Sequence, residues 1–199
     1  MSIFHSRTRK TLGFTLTEAA IVLGIVGLIL GAIWVAASAV YNNMRINRTS
    51  EQILKIVQNI RSLYAGTHSF DGITNGQDIT LDLVPAKVFP NDMVKVEGAN
   101  TYVYHAWGNS SETSVIARGW LGSPPRFSIE YVGAPQDACM KIITLATGDE
   151  RDAGIFQAGN QLNSGELVLF TEFPITVTEA RTICTTSETP GIMLVYKLN

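Results

Sequence analysis

The chain has 199 residues, a length typical of one domain or of one domain with an appended segment. Its 46% hydrophobic residues exclude a disordered chain, and its two cysteines exclude a disulfide-dense miniprotein. A net charge of −2 offers no basic surface for nucleic acid, and three histidines leave few ligands for a metal centre.

The first 13 residues are basic: they carry Arg7, Arg9 and Lys10 and no acid. The 23 residues from Ala19 to Tyr41 carry no charge. A helix of that length spans roughly 34 Å, enough to cross a hydrocarbon core of about 30 Å. Because cytoplasmic flanks of membrane spans are enriched in Lys and Arg, we expect the basic end to stay inside while the rest crosses or leaves the membrane.

The helical pattern continues beyond the uncharged run. Apolar residues recur there at helical steps, with charged residues between them, and form the stripe Ile46, Ile53, Val57, Ile60 and Tyr64. No proline lies between Phe14 and Tyr64, so the sequence predicts one helix over that whole range.

Three interpretations of this segment compete. The first is a secretory signal peptide cut after Ala39, the second is a plain membrane anchor, and the third is a short leader followed by an assembly helix. Signal peptides have an apolar core of about 7–15 residues, which is shorter than this run. Glu18 at the start of the run is also unusual for a signal peptide, so the first interpretation is disfavoured.

The segment Gly13-Phe14-Thr15-Leu16-Thr17-Glu18, with the uncharged run behind it, resembles the class III leader junction and first helix of type IV pilins. The resemblance implies that prepilin peptidase cuts between Gly13 and Phe14 and that the new amino terminus of Phe14 is N-methylated. It also implies that Glu18 is the family's glutamate at the fifth mature position. We expect Glu18 to neutralise the amino group of Phe14 on a neighbouring subunit during filament assembly, the alternative being a glutamate at the membrane interface without a partner.

The continuation from Leu30 to Tyr41 looks most like the type IVb, PilS-like pilins. Phe14 as first mature residue and a leader of 13 residues are nearer to type IVa. Val35 stands where type IVa pilins commonly have a proline. Gly24, Gly27 and Gly31 include a Gly-x-x-x-Gly pair, which favours close approach of membrane helices, although glycine is also generally common in such helices.

Beyond Tyr64 the sequence predicts an α+β head. Alternating residues predict strands at Ile79–Leu83 and Phe127–Tyr131, and Glu166–Phe170 and Ile192–Leu198 supply two more. Thr101–Trp107 and Thr113–Trp120 flank a turn at 108–111 and predict a hairpin. We expect an antiparallel sheet that packs on the amphipathic half of the long helix.

Two short helices are predicted in the head. One carries Cys139 between Pro135 and Gly148, and the other opens with a capping box at Thr176–Glu179 and carries Cys184. If the head is periplasmic or extracellular, a disulfide between Cys139 and Cys184 is expected, the alternative being two buried thiols. Type IV pilins staple their C-terminal region in this way, so the resemblance implies the same bridge.

The predicted organisation is a leader (1–13), a long helix (14–65) and a globular head (66–199). The membrane and assembly half of the helix is 14–41 and its amphipathic half is 42–65. The resemblance implies the major subunit of a type IV, most like type IVb, pilus for adhesion, aggregation, conjugation or DNA uptake. Its precursor would lie in the inner membrane with a periplasmic head, and its partners would be its own copies, the peptidase, the assembly platform and an ATPase.

Other functions stay open. A minor pilin or a pseudopilin of type II secretion shares the leader and helix. A membrane-anchored periplasmic enzyme or binding domain is more remote, because the mature chain keeps only His68 and His105 and has no hydrolase, metalloprotease, P-loop or dinucleotide motif. We therefore expect no catalytic residue, no metal and no cofactor, and we expect His105 to be a packed or surface histidine.

Overall fold

The computed structural model describes residues 15–67, 69–110, 113–149, 151–160, 167–185 and 190–198. Two compact units divide the chain after Tyr41. The predicted leader and Phe14 lie outside the described residues, so the leader junction stays a prediction.

One long helix, α1 (Leu16–Leu63), contributes to both units. It is the predicted helix, with ends that differ by one or two residues, as helix ends commonly do. In the first unit every side chain from Leu16 to Tyr41 is exposed except that of Ala19, which is half-buried. This part of α1 is long and apolar enough to cross a membrane, and none of its most apolar stretch is buried within the chain.

The second unit buries one face of the rest of α1. The predicted stripe is confirmed for four of its five members, while Tyr64 is half-buried against the ring of Phe70 at 4.5 Å between ring centroids. The prediction missed Ile56, which is also fully buried. The buried apolar residues of α1 are Ile46, Ile53, Ile56, Val57 and Ile60.

Eight strands and three further helices make up the rest of the second unit in the described residues. The strands are β1 (Gln77–Asp78), β2 (Val94–Glu97), β3 (Asn100–Val103), β4 (Val115–Trp120), β5 (Arg126–Tyr131), β6 (Ile155–Gly159), β7 (Leu169–Phe170) and β8 (Ile192–Lys197). The helices are α2 (Thr80–Leu83), α3 (Gln136–Thr147) and α4 (Val177–Thr185).

Six of these strands form one antiparallel sheet in the order β1-β4-β5-β8-β6-β7, and β2 pairs only with β3. The C-terminal strand β8 therefore lies inside the sheet, between β5 and β6. The inward residues of β5 face those of β8 across the ladder, as in the pairs Phe127↔Tyr196 and Ile129↔Leu194. They share one hydrophobic core with the buried face of α1, which confirms the predicted packing of helix on sheet.

The strand predicted at Ile79–Leu83 is wrong, because residues 80–83 form helix α2. A side-chain oxygen of Asp78 accepts a hydrogen bond from the Thr80 amide at 2.9 Å, which turns the chain out of β1. Ile79 and Leu83, four residues apart, are both buried, while Leu81 is 61% exposed. A run of five residues fits both the two-residue period of a strand and the 3.6-residue period of a helix. Here the helix places Ile79 and Leu83 in the core and leaves Leu81 outside.

The hairpin predicted around residues 108–111 is also wrong. β3 ends at Val103 and pairs with β2, and a single bridge between Tyr104 and Ser114 is the only pairing described between the two predicted arms. The ring of His105 accepts a hydrogen bond from the Trp107 amide at 3.2 Å. This local contact turns the chain before a second ladder forms.

Both predicted short helices and their bridge are confirmed. α3 follows Pro135 and ends before Gly148. α4 begins directly after Thr176, within the capping box in which Glu179 accepts hydrogen bonds from the amide and hydroxyl of Thr176. Cys139 of α3 and Cys184 of α4 are buried and joined by a disulfide bond.

An ion pair and hydrogen bonds to a backbone carbonyl hold the end of α1 against the C-terminal strand and the loop before β6. The Arg61 guanidinium donates two hydrogen bonds to the Asp152 carboxylate, at 2.8 and 3.0 Å, and also reaches the Lys197 carbonyl. Partial burial raises the pKa of Asp152, but hydrogen bonds from Arg61 and from the Gly154 amide, with the charge of Arg61, hold it below its usual value. Any side chain at Gly154 would collide with the guanidinium.

Loss of the disulfide is expected to destabilise the head strongly. The bond links residues 45 apart, and closing a loop of that length stabilises a fold by roughly 4 kcal/mol in the chain-entropy model. Urea unfolding of the full chain in detergent, compared with the Cys139→Ser/Cys184→Ser variant, measures the difference. Equal unfolding free energies for the two proteins would contradict this expectation.

Candidate functional site

The start of α1 holds Glu18 in a capping box. Its Oε2 atom accepts hydrogen bonds from the Thr15 amide at 2.9 Å and from the Thr15 hydroxyl at 2.8 Å. The Thr15 hydroxyl oxygen accepts one in return from the Glu18 amide at 3.3 Å. Both residues are exposed, and the box satisfies two amide groups that a helix start otherwise leaves without partners.

Sequence reasoning missed this contact of Glu18. The signal was Thr-x-x-Glu ahead of an apolar run, the same pattern that was recognised at Thr176–Glu179. Both hydrogen bonds to the Glu18 side chain use Oε2, and Oε1 accepts none from the part of the chain that the structure describes. The carboxylate is thus held at the helix start with one oxygen available to another group.

Gly24, Gly27 and Gly31 lie on one side of α1. At 100° per residue the three positions fall within about 60° of each other around the helix axis. A Cβ atom added at any of them would have no atom within 4 Å apart from its own chain neighbours and the nearby helix backbone. Packing among the described residues therefore does not require these glycines.

The outer face of the sheet carries a charged network that sequence analysis also missed. The Nε atom of Arg118 donates to Glu130 Oε1 at 2.9 Å, and the indole of Trp120 donates to Ser128 Oγ at 3.0 Å. Ser128 and Glu130 alternate with the apolar residues of the predicted strand Phe127–Tyr131, a pattern typical of exposed positions, yet they are 0% and 1% exposed. A buried carboxylate must have partners, and Arg118 and the hydroxyl of Ser128 both donate hydrogen bonds to Glu130.

His105 is packed, which is one of the two placements expected for it. Its ring is 4% exposed, and its Nε2 atom lies 2.7 Å from the Val132 carbonyl while Nδ1 accepts from the Trp107 amide. This pair of partners fits the neutral ring with its proton on Nε2. Burial lowers the pKa of His105, and the hydrogen bond to Val132 offsets this only in part. His68, the other histidine considered, lies outside the described residues.

The described residues, which omit 1–14, 161–166 and several shorter stretches, contain no group of three His, Cys, Asp or Glu side chains placed to hold a metal ion. The two cysteines are consumed by their disulfide. The candidate functional features are therefore the exposed apolar half of α1, the Glu18 carboxylate held at its start, and a head with a disulfide bond.

Two comparisons with known proteins find similarity to pilins. The family model described as "PilS N terminal" matches residues 43–197. A crystal structure of a type IVb pilin from Salmonella typhi superposes with a TM-score of 0.50 at 20% sequence identity, over 76% of this chain and 96% of that one. At this identity the likeness shows the fold alone. Among curated proteins no sequence matches significantly.

Mild acid is expected to destabilise the head through His105. The unfolded histidine binds a proton below about pH 6.5, whereas the buried ring binds one only at lower pH, so stability falls as the pH drops from about 6.5 through the folded pKa. Thermal unfolding of the full chain at pH 7 and pH 5 measures this loss. His105→Gln keeps an N–H for Val132 and should show a smaller loss, while equal losses in both proteins would contradict the assignment.

Proposed function

This chain belongs to the PilS N-terminal family, and from that premise we propose that it is the structural subunit of a type IVb pilus that polymerises through its first helix. The observation that carries the proposal is an uncharged half-helix, exposed along its length, continuous with a head of type IVb pilin fold. The fibre would serve adhesion, aggregation, conjugation or DNA uptake. The family and the fold are structural rather than enzymatic.

The precursor is proposed to lie in the inner membrane. The basic tip of residues 1–13 stays in the cytoplasm, the uncharged part of α1 spans the bilayer, and the head lies in the periplasm. The disulfide of the head suits an oxidising compartment of this kind. Prepilin peptidase would cut between Gly13 and Phe14 and methylate the new amino terminus.

Assembly is proposed to pair Glu18 with the amino terminus of Phe14 on a neighbouring subunit. Among apolar helices an unpaired charge costs about 3–5 kcal/mol, so subunits in the wrong stagger are penalised. The capping box favours this role, because it fixes the carboxylate at the start of the helix and leaves Oε1 without a partner in the described residues. The glycine face of Gly24, Gly27 and Gly31 would let neighbouring helices approach closely.

Energy for assembly is proposed to come from partner proteins. The sequence has no P-loop, so the chain offers no site of that type for a nucleotide. An assembly platform and an ATPase would extract the subunit from the membrane and add it to the fibre.

Variants at Glu18 and Thr15 separate the charge of the carboxylate from its capping role. Glu18→Gln keeps an acceptor for the cap but removes the charge, and Thr15→Ala removes the hydroxyl but keeps the charge. We expect Glu18→Gln and Glu18→Ala to be cleaved normally but to give at least about tenfold fewer sheared filaments, since losing a buried ion pair costs more than 1.4 kcal/mol. Thr15→Ala should still assemble.

Wild-type filament levels in Glu18→Gln would show that the charge is not needed and would refute the proposed pairing. Loss of filaments in Thr15→Ala alone would assign Glu18 to the cap instead.

Mass analysis of the mature amino terminus tests the processing. An N-methylated Phe14 is expected, whereas a start at Val40 would indicate a signal peptide and a start at Met1 an unprocessed anchor. The same sheared fraction separates a major pilin, which dominates it, from a minor pilin or pseudopilin, which is scarce or absent there.

A further inference from the structure

We propose that Trp34 and Tyr41 form an aromatic anchor that sits at the outer interface of the bilayer and fixes the depth of α1 in the membrane before assembly. The inference rests on the proposed membrane-held precursor and adds the residues that position it.

The two rings stand on the same side of the helix and are exposed. They are seven residues apart, which brings them within about 20° of each other around the axis. Trp34 is 80% exposed and Tyr41 is 58% exposed. The other large apolar side chains from Leu16 to Val40 are all aliphatic, so the aromatic residues of the stretch from Leu16 to Tyr41 lie in its C-terminal part.

The distances along the helix match the thickness of a bilayer. At 1.5 Å per residue Trp34 lies about 24 Å and Tyr41 about 34 Å from Glu18 along the axis. If the Glu18 carboxylate marks the cytoplasmic edge of a hydrocarbon core of about 30 Å, the two rings lie on either side of the opposite edge. A tilt of about 20° shortens both distances by only about 6% and keeps the rings on either side of that edge.

The chemistry of the rings suits this position. Indole and phenol each combine a large apolar face with one polar group, and they are enriched where hydrocarbon meets water. The polar residues Asn42, Asn43 and Arg45 follow Tyr41 directly, so the chain turns hydrophilic within one helical turn of the second ring. Two anchored rings resist both sinking and withdrawal of the helix, which sets the depth from which a subunit must be extracted.

Depth-dependent quenching of tryptophan fluorescence tests the assignment. The full chain is reconstituted in vesicles of phosphatidylcholine and phosphatidylglycerol that carry a spin label either near the headgroup or deep in the acyl chain. The signal of Trp34→Phe, which retains Trp107 and Trp120 of the head, is subtracted from that of the wild type. Ile29→Trp in the Trp34→Phe background, about 16 Å from Glu18, provides a control ring near the bilayer centre.

We expect Trp34, and Tyr41→Trp in the Trp34→Phe background, to be quenched about twofold more by the shallow label than by the deep one, as befits interfacial rings. The Ile29→Trp control should show the reverse order. Stronger quenching of Trp34 by the deep label would overturn the anchor while leaving the membrane-held precursor intact. A chain that fails to float with vesicles would overturn both.

Discussion

The exposed apolar surface of the first half of α1 is the constraint on which the rest of the structure depends. Fourteen large apolar side chains between Leu16 and Tyr41 are at least 43% exposed. Burying each of them is worth about 1.5–3 kcal/mol, so tens of kcal/mol favour covering this surface. None of the most apolar stretch is buried by the residues that the structure describes, and the proposed cover is lipid or other copies of the protein.

The second unit, in contrast, buries its apolar residues in a core of its own. Its last strand, β8, is also a central strand of the sheet, and the disulfide joins the two helices that flank the C-terminal region. Arg61 attaches the end of α1 to the loop before β6 and to β8. The buried face of α1 thus belongs to one apolar core, and a disulfide and an ion pair stabilise the elements around that core.

The sequence predicted the parts whose signals are long or chemically specific. The continuous helix, the stripe from Ile46 to Ile60, the strands at Phe127 and Ile192 and the capping box at Thr176 all follow from period and local chemistry. The errors came from short segments in which a local contact decided the path of the chain. Ile79–Leu83 fits the period of a strand and that of a helix, and the hydrogen bond from the Trp107 amide to the His105 ring turns the chain beyond β3. Glu130 occupies a position in β5 that the alternating pattern assigns to the surface, yet it is buried beside Arg118. The alternating pattern does not show which residue of a neighbouring strand pairs with it.

A density map of the sheared filament is the most direct test of assembly through the first helix. We expect residues 15–41 of each subunit to be covered by the same residues of its neighbours. We also expect the Glu18 carboxylate to lie within about 4 Å of the Phe14 amine of another subunit, the distance of an ion pair. A fibre joined only through its heads, with the first half of α1 outside any such bundle or Glu18 distant from every neighbouring amino terminus, would contradict it.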